Sequence, residues 1–593
     1  MMAGRSAVMG IRDVSLARRA ARVLPLLAAL SACACGAAPT APADEIHGTL
    51  EPFAREAVYF VVTDRFVNGD PGNDHRDQGG EHRTFDIPLP PCDGVSGNIG
   101  YLGGDFRGLA DNLDYIQDMG FSAVWITPVV DNPDQAFTGG EPPGCGSILT
   151  DRGKTGYHGY WGVNFFKVDE HLPSPGMEFP DLAGELHRRG MRLVLDIVGN
   201  HGSPAWTMPQ AQPQFGQLFD RDGRLVADHQ NLPPQQLDPA GNPLHAFYNA
   251  TGPVADGQGS IYDGNLAQLG DFNASNPAVL EYLVEAYGHW IDQGADAFRI
   301  DTIAWMPTSF WQRFSERIRE KRPGFFMFGE AFDYDAANIA IHTRPGHGEV
   351  SVLDFPMKQA MEEVFGRKNA GFERLEPALF LEDGPYANVY ELATFYDNHD
   401  MPRMDASDEG FIDAHNWLFT ARGIPVVYYG SEVGFMRGRA EHAGNRSYFG
   451  QERIDAANDS AIHQQLRRIA RLRRETPALQ RGIQVNLLLE GETAAFYRVF
   501  QHEGVAQTAL VLLNKGDAPR TVTVDALVQP GDWRDAFDGS RVEIGQRIEL
   551  QVPAHGVRVL LRDAPVEAPA LRELLLRRME ARAHGAGAET TPG

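Results

Sequence analysis

The strongest constraint on the fold is an alternation of short apolar strand patterns with helix patterns between residue 57 and about residue 430. Eight stretches rich in β-branched and aromatic residues take part, at 57–62, 123–126, 192–198, 297–300, 325–328, 352–355, 393–396 and 425–429. The segments between them have helical spacing, and glycines such as Gly190 and Gly294 stand where helices end. Eight strands interleaved with helices predict an α/β chain folded as a (β/α)8 TIM barrel, with a doubly wound open sheet as the alternative.

Two connections in this region are too long to be simple loops. Residues 128–160 and 202–262 follow strands two and three, so we expect them to form lobes over the carboxyl ends of the strands. From about residue 483 the pattern changes to six short strands, at 485–489, 495–500, 509–513, 522–524, 548–552 and 557–561. This spacing predicts a barrel over 53–480, an all-β sandwich over 481–563 and a tail over 564–593, with a basic helix at 570–583.

The first residues have the features of a bacterial export signal. Arg12, Arg18, Arg19 and Arg22 precede a short apolar stretch, and Leu30-Ser31-Ala32-Cys33 follows it. This ending resembles a lipobox, which predicts a signal peptide over 1–33 and lipidation at Cys33, with an ordinary cleaved signal as the alternative. Residues 34–52 are rich in Ala and Pro and are interpreted as a tether. The expected location is the outer membrane of a Gram-negative cell, on its periplasmic or outer face, or otherwise the medium.

Charge and cysteine content exclude several classes of protein. Lys and Arg total 53 against 79 Asp and Glu, and the net charge of −26 disfavours a nucleic-acid partner. The 593 residues contain four cysteines, too few for a disulfide scaffold. Cys92 and Cys145 are the two in the part of the chain expected to fold after export, and export would place them in an oxidising compartment. A disulfide between them is therefore predicted, with two free thiols as the alternative.

Polar residues recur where four of the predicted strands end, which is the place where barrel enzymes carry their catalytic groups. The four stretches are Asp196-Ile-Val-Gly-Asn200-His201, Arg299-Ile-Asp301, Phe328-Gly329-Glu330 and Asp397-Asn398-His399-Asp400. Each one alone is weak evidence, because an Asp at the end of a buried strand is often a helix cap. The four together indicate one catalytic site.

These stretches resemble, in order, the motifs of the α-amylase family of glycoside hydrolases. The likeness covers roughly residues 57–563 and is greatest to the branch of cyclodextrin glucanotransferases and related amylases. Three further stretches support that branch: Thr63-Asp64-Arg65-Phe66, Tyr157-His158-Gly159-Tyr160-Trp161 and Tyr428-Tyr429-Gly430. The resemblance implies cleavage of α-1,4-glucosidic bonds in starch, glycogen or maltooligosaccharides.

The resemblance also implies a role for each carboxylate. Asp301 would be the nucleophile and Glu330 the acid/base, since retention needs two carboxyl groups about 5–5.5 Å apart. Asp400 would bind sugar hydroxyls at the cleaved unit. Arg299 would orient Asp301, Asp196 would support the site from below, and the remaining substrate contacts would come from His201, His399, His158 and Tyr160.

Two calcium sites are implied in the same way. The first is the loop Asn68-Gly-Asp70-Pro-Gly-Asn73-Asp74 together with Gly103 and Asp105, which gathers hard oxygen ligands. A solvated Asn/Gly/Asp turn is the alternative. The second site would use Asn200 and Asp271, with backbone carbonyls near Ile261 and Trp305.

The sequence departs from the family pattern around the acceptor side. Where relatives often have Lys-His after the nucleophile, this chain has Ala304 and Trp305, and Trp305 is either a stacking platform or a packing residue. Ala267 stands where cyclising enzymes place a bulky aromatic, and the chain carries one β domain. Both features favour hydrolysis over cyclisation, while Phe332 matches an acceptor-side aromatic and leaves transglycosylation open.

Three functions are therefore weighed. The leading one is a lipid-anchored α-glucan hydrolase of retaining mechanism with Ca²⁺ as its cofactor. The second is a 4-α-glucanotransferase or a hydrolase specific for cyclodextrins or maltooligosaccharides. The third, a non-catalytic glucan-binding lipoprotein, is disfavoured because Asp301, Glu330 and Asp400 are all present. The sequence contains no indication of oligomeric state.

Overall fold

A computed structural model describes residues 45–75, 99–140, 152–205, 212, 214–230, 232, 236–249, 266, 268–440 and 445–585. The described residues belong to one folded unit that begins at Glu45. Cys33, Cys92, Cys145, Ile261 and Ala267 lie outside the described residues, so the lipidation, the disulfide and the alanine at the centre of the cleft remain predictions.

The strands before residue 430 supply the barrel and two lobes. They are β1 (Val58–Val61), β2 (Ala123–Ile126), β3 (Val130–Asp131), β4 (Asn164–Val168), β5 (Arg192–Val198), β6 (His201–Pro204), β7 (Gln217–Phe219), β8 (Leu225–Asp228), β9 (Leu269–Asp271), β10 (Ala297–Asp301), β11 (Phe326–Gly329), β12 (Ser351–Val352), β13 (Ala393–Thr394) and β14 (Ile424–Tyr428).

Eight of these strands form one parallel sheet in the order β12-β11-β10-β5-β2-β1-β14-β13. Its two outer strands meet through the parallel bridge between Leu353 and Ala393, where the Asp354 N–H donates to the Ala393 carbonyl at 3.0 Å. The ring of strands therefore closes, which confirms the predicted (β/α)8 barrel. Its strands are buried on both faces, as expected for a parallel sheet covered by helices.

The helices are α1 (Phe106–Asp111), α2 (Leu113–Asp118), α3 (Phe179–Arg188), α4 (Pro277–Asp292), α5 (Thr308–Lys321), α6 (Ala336–Ala340), α7 (Phe355–Phe365), α8 (Asp408–Leu418), α9 (Gln451–Ala456), α10 (Ala461–Arg474), α11 (Pro477–Arg481) and α12 (Pro569–Gly585). Helix α4 shows why they begin where they do: Asn276 caps it by accepting from the Ala278 N–H, and Pro277 occupies its first turn. It is followed by Gly294, whose φ of +116° suits a residue without Cβ.

The two long connections contribute small sheets beside the barrel. Strands β3, β4, β7 and β8 pair in that order, and β6 pairs with β9. The β6–β9 pair brings His201 opposite Asp271. The second lobe is thereby fixed to the segment that directly follows β5, one of the strands that end at the site.

The C-terminal strands are β15 (Ile483–Glu490), β16 (Thr493–His502), β17 (Val505–Asn514), β18 (Arg520–Val524), β19 (Gly531–Asp535), β20 (Arg541–Ile544), β21 (Ile548–Val552) and β22 (Gly556–Arg562). A six-stranded antiparallel sheet, β15-β16-β17-β22-β19-β20, lies against the two-stranded sheet β18-β21. The all-β domain is confirmed, but the sequence analysis missed β19 and β20. These two strands alternate exposed charged residues with few apolar ones, so their apolar signal is weak.

Both ends of the described chain are attached to the folded unit. Ile46, within the stretch interpreted as a tether, is buried and pairs with Gln501 of the β domain. Leu571 and Leu575 of α12 are buried, and Arg582 donates to the carbonyl of His47 at 3.0 Å. In the structure, residues 45–52 and α12 therefore pack on the domains rather than extending from them. None of the described helices has the length and apolar character needed to cross a membrane.

Candidate active site

Two of the predicted catalytic carboxylates lie side by side because of strand register. Asp301 is the last residue of β10, and Glu330 directly follows β11. In the parallel ladder Ile300 is paired with Gly329, so the next residue of each strand emerges at the same end of the barrel. Both carboxylates are more than nine-tenths buried.

Arg299 links these carboxylates from below. The Arg299 side chain is fully buried, and its register partner on β5 is Asp196. One terminal nitrogen lies 2.8 Å from Asp301 and 2.9 Å from Asp196, and the other lies 2.8 Å from Glu330. A guanidinium is planar and stays charged, so it can hold three carboxylates in fixed positions.

The environment of Glu330 suits a group that must donate a proton. Burial raises the pKa of Glu330 to about 8, the attraction of Arg299 opposes this shift, and the charges of Asp400 and Asp301 add to it. A carboxyl group with such a pKa is protonated at neutral pH. The structure thus gives Glu330 the protonation state that an acid catalyst needs.

Asp400 lies on the same side of the barrel, and its carboxylate is 30% exposed. Arg446 pairs with one oxygen of this carboxylate, and His399 Nε2 lies 3.0 Å from the other. The backbone N–H of Asp400 donates to Asn398 at 2.9 Å. The carboxylate is held by Arg446 and His399, and the backbone is held by Asn398, while part of the side chain stays open to solvent for a sugar hydroxyl.

The predicted substrate-binding imidazoles surround the same carboxylates. His201 Nε2 lies 4.0 Å from Asp301, and it has no hydrogen-bond partner within the described part of the chain. Burial lowers the pKa of His201, and burial with the charge of Arg446 lowers that of His399. His158 accepts from the Tyr160 N–H at 3.0 Å, and its pKa is also lowered by burial. All three rings are therefore neutral at pH 7 and can donate from one nitrogen.

Tyr160 packs its ring along His399, with centroids 5.4 Å apart. Its hydroxyl donates to Asp196 at 2.8 Å, and Trp125 Nε1 donates to the same oxygen at 3.0 Å. Burial raises the pKa of Asp196 to about 7 against the pull of Arg299. Asp196 is fully enclosed by protein groups, as expected for a supporting residue.

The acceptor-side residues are more exposed. Phe332, two residues after Glu330, is 61% exposed, whereas Trp305 is half-buried. The Trp305 carbonyl accepts from Asn200 at 3.2 Å. This contact places Trp305 next to the second candidate calcium site. Its indole ring stacks on no other aromatic ring of the described residues.

The first candidate calcium loop contains polar atoms that lack partners. The side-chain oxygens of Asn68 and Asn73 are buried and accept no hydrogen bond from the described residues. Asn68 Nδ2 donates to Asp74 at 2.7 Å, while Asp105 accepts from the N–H of Asp70 at 2.7 Å. Gly103 closes the loop at a φ of +90°, where a Cβ would lie 2.4 Å from the Asp74 carboxylate. Two unpaired oxygens beside carboxylates fit a hard cation.

The second candidate site is also brought together. Asn200 Nδ2 donates to Asp271 at 2.8 Å, and the Trp305 carbonyl completes the group. The described residues include no set of three or more His, Cys, Asp or Glu side chains placed to hold a metal ion. A cation at either site would therefore depend on amide and backbone oxygens as well as carboxylates.

Sequence reasoning missed the two residues that brace this end of the barrel. Asn445 donates to the carbonyls of Asn398, His399 and Met401, and Arg446 donates to the His399 carbonyl at 2.9 Å and to Tyr157 at 3.3 Å. They follow β14 in an irregular stretch whose pattern gives no indication of their partners. Their burial and their hydrogen bonds identify them in the structure.

The chain is similar to known proteins in both sequence and fold. The family model "Alpha amylase, catalytic domain" matches residues 60–475. A cyclomaltodextrin glucanotransferase of Klebsiella oxytoca is 29% identical over 532 residues, which is 82% of this chain and 74% of that enzyme. The chain spans only 62% to 65% of the length of other bacterial cyclomaltodextrin glucanotransferases that it matches.

Two solved structures share the fold over almost their whole length. The three-domain cyclomaltodextrin glucanotransferase CldA has a TM-score of 0.70 and 29% identity, covering 86% of this chain and 99% of its own. An α-amylase from Geobacillus thermoleovorans complexed with acarbose has a TM-score of 0.66 and 26% identity, with coverages of 86% and 99%. A glucanotransferase can thus have three domains, so the single β domain is no argument for hydrolysis.

Proposed function

The chain belongs to the α-amylase family, and from that premise we propose that it cleaves α-1,4-glucosidic bonds with retention of configuration. The observation that carries the proposal is the Arg299 guanidinium, which contacts Asp301 and Glu330 at the ends of β10 and β11 and Asp196 within the adjacent strand β5. A binding protein would gain nothing from two buried carboxyl groups held together on one guanidinium. Double displacement needs two such groups, one as the nucleophile and one as the acid/base.

The chemistry follows from these positions. A carboxylate oxygen of Asp301 attacks the anomeric carbon while the Glu330 carboxyl donates its proton to the glycosidic oxygen, so that bond breaks and the leaving sugar departs neutral. Glu330, now ionised, takes a proton from water, whose oxygen displaces Asp301 and releases the sugar with its original configuration. Arg299, 2.8 Å from Asp301, orients this carboxylate for the attack.

The other polar groups hold the sugar that reacts. Asp400 and the neutral imidazoles of His201 and His399 offer hydrogen bonds to its hydroxyls, and the ring of Tyr160 provides a face for stacking. Contacts that tighten as the sugar ring flattens lower the barrier. His158 fixes the backbone of Tyr160 and so keeps that face in place.

The test is a time course of products from maltoheptaose, amylose and cyclodextrin, with the anomeric form of the first product read by NMR. We expect α-anomers from the wild-type protein and about 10³-fold or greater loss in Asp301→Asn. β-Anomers would contradict retention. Absence of cleavage of every α-glucan by the folded wild-type protein would contradict the whole proposal.

Transfer to a sugar acceptor is the second candidate function. The large exposed face of Phe332 favours it, because an exposed aromatic next to the acid/base can hold a sugar in the place of water. The same time course separates the two: longer maltooligosaccharides or cyclodextrin accumulating from the substrate would indicate transferase activity, and glucose or short products alone would indicate hydrolysis.

We propose that Ca²⁺ binds the loop of Asn68, Asp70, Asn73 and Asp74 and the group of Asn200 and Asp271. The ion would supply positive charge that neutralises clustered carboxylates and ties loops to the barrel. The buried unpaired oxygens of Asn68 and Asn73 support the first site. Because Asn200 directly precedes His201, the second site would also steady a substrate-binding residue.

Export with lipidation at Cys33 and a disulfide between Cys92 and Cys145 are also proposed. Their support is the lipobox-like sequence and the oxidising compartment that export implies. Cell fractionation of the wild type and Cys33→Ser tests the anchor, and we expect the variant to move from the membrane to a soluble fraction. Thiol labelling of the unreduced, denatured protein tests the bridge, with no labelling of these two cysteines expected.

A further inference from the structure

Two exposed aromatic side chains stand next to each other on the loop that follows β11. Phe332 is 61% exposed and Tyr334 is 37% exposed, and their ring centroids are 5.8 Å apart. Within the described ranges the other large exposed apolar side chains, Leu50, Leu225 and Val505, are aliphatic. Exposed apolar residues are normal when scattered, but a contiguous aromatic pair beside an active site indicates a binding surface.

The pair is supported from beneath by the core. Phe355, the fully buried first residue of α7, contacts Phe332 at 5.2 Å and Tyr334 at 6.2 Å between centroids, in both cases edge to face. Phe355 in turn packs against Phe395 beyond the end of β13. One buried ring therefore holds both exposed rings, so their positions do not depend on the loop alone.

The backbone between the rings is also fixed. Asp333 accepts from the Asp335 N–H and from Asn338 Nδ2, both at 2.8 Å, and Asp335 caps α6 by accepting from the Ala337 N–H. These bonds join the loop to the first turns of the following helix. A surface with rigid rings loses little conformational entropy when it binds a ligand.

The position identifies the ligand. Glu330 donates its proton to the leaving oxygen, so residues just beyond it flank the half of the substrate that departs. Phe332 and Tyr334 follow it by two and four residues. The negative faces of aromatic rings attract the polarised C–H groups of a pyranose, and neutral rings suit a neutral glucan.

We propose that Tyr334 is a further binding residue for α-glucan, and that with Phe332 it forms a two-ring surface for successive sugars on the leaving-group side. Phe355 is the positioning residue of this surface. The inference rests on the proposed glucan-cleaving function. It assigns Tyr334 to chains long enough to extend past Phe332, and it makes this residue a determinant of chain-length preference.

The experiment compares kcat/KM for maltotriose through maltoheptaose in the wild type, Tyr334→Ala and Tyr334→Phe. We expect Tyr334→Ala to lower kcat/KM for maltoheptaose about three- to tenfold and to leave maltotriose nearly unchanged. Tyr334→Phe keeps the ring and should keep the wild-type profile. Val505→Ala, which removes an exposed side chain in the β domain, is the matched control.

The alternative outcomes are distinct. Equal loss for all chain lengths, or no loss, would overturn the role of Tyr334, and melting temperatures identify a misfolded variant. Calorimetric binding of maltoheptaose to Glu330→Gln, with and without Tyr334→Ala, should show the same weakening. Failure of the wild type to cleave any α-glucan would contradict the proposed function, whereas intact cleavage with an unaltered profile in Tyr334→Ala would contradict this inference alone.

Discussion

The guanidinium of Arg299 lies 2.8 Å from Glu330, the carboxyl group proposed to donate the catalytic proton. This cation favours the ionised form, while burial and the charges of Asp400 and Asp301 favour the protonated form. The balance leaves the pKa of Glu330 at about 8, so the carboxyl group is protonated at neutral pH. Once the proton has been donated, Arg299 stabilises the carboxylate. The proton donor is thereby prepared for both of its roles.

The first prediction concerns pH. Because Glu330 must be protonated to start the reaction, we expect kcat/KM to fall as the pH rises through about 8, and Glu330→Gln to lose this basic limb. Glutamine cannot donate a catalytic proton, so hydrolysis of maltoheptaose should fall at least about 10³-fold. The measurement is the pH dependence of kcat/KM for both proteins.

A substrate with an activated leaving group provides the control for this prediction. A nitrophenyl maltooligoside needs less help from a proton donor, so Glu330→Gln should be impaired much less on it than on maltoheptaose. Equal impairment on both substrates would show that the substitution disturbs the site rather than the proton transfer.

The second prediction concerns Arg446, which binds the Asp400 carboxylate, the His399 carbonyl and Tyr157. We expect Arg446→Met to lower kcat/KM about 10²-fold, because a misplaced Asp400 no longer meets the sugar correctly. Arg446→Lys keeps the charge without the planar fork and should be intermediate. Steady-state kinetics and melting temperature should be measured together.

Arg437→Met is the matched control. Arg437 lies in the loop after β14 and pairs, partly exposed, with Asp408 at the start of α8. The substitution should leave kcat/KM within about twofold. If Arg446→Met keeps full activity and only its melting temperature falls, then Arg446 has a structural role alone.

The third prediction concerns calcium. Chelation should lower the melting temperature, since an ion that binds only the folded chain stabilises it by about 2.7 kcal/mol at a concentration of 100 times Kd. Asn68→Ala should bind one ion fewer by elemental analysis, while Asn458→Ala, an exposed asparagine elsewhere, should bind the wild-type number. An unchanged ion count in Asn68→Ala would exclude the first loop.

The fourth prediction concerns stability. Arg422 pairs with Asp354 at full burial and also donates to the Leu379 carbonyl at 3.0 Å. Arg422→Met would leave the buried Asp354 without its ion-pair partner, at a cost of about 3–5 kcal/mol in the free energy of unfolding. Denaturant unfolding measures this change.

Arg541→Met removes a similar pair, with Asp532, that is exposed to solvent. It should cost about 1 kcal/mol or less, because water screens the interaction. Equal effects of the two substitutions would show that the buried pair contributes no more than the exposed one.

The strand pattern predicted the barrel because its strands are buried on both faces and are therefore mostly apolar. The same apolar pattern did not predict strands β19 and β20, because most of their side chains are exposed and several are charged. Residues 45–52 fall inside the predicted tether, yet Ile46 pairs with Gln501. No local pattern can indicate a partner more than 400 residues away.

Asp301, Glu330 and Asp400 could be proposed as catalytic residues from the sequence by itself, since parallel strands bring their last residues to one end of a barrel and the motifs there resemble one family. Only the tertiary structure decided that Arg299 meets Glu330, that Arg446 holds Asp400, and that Phe355 supports Phe332 and Tyr334. The position of a residue in its strand determines at which end of the barrel it lies. Burial, charge and ring contacts depend instead on chain segments that meet only after folding.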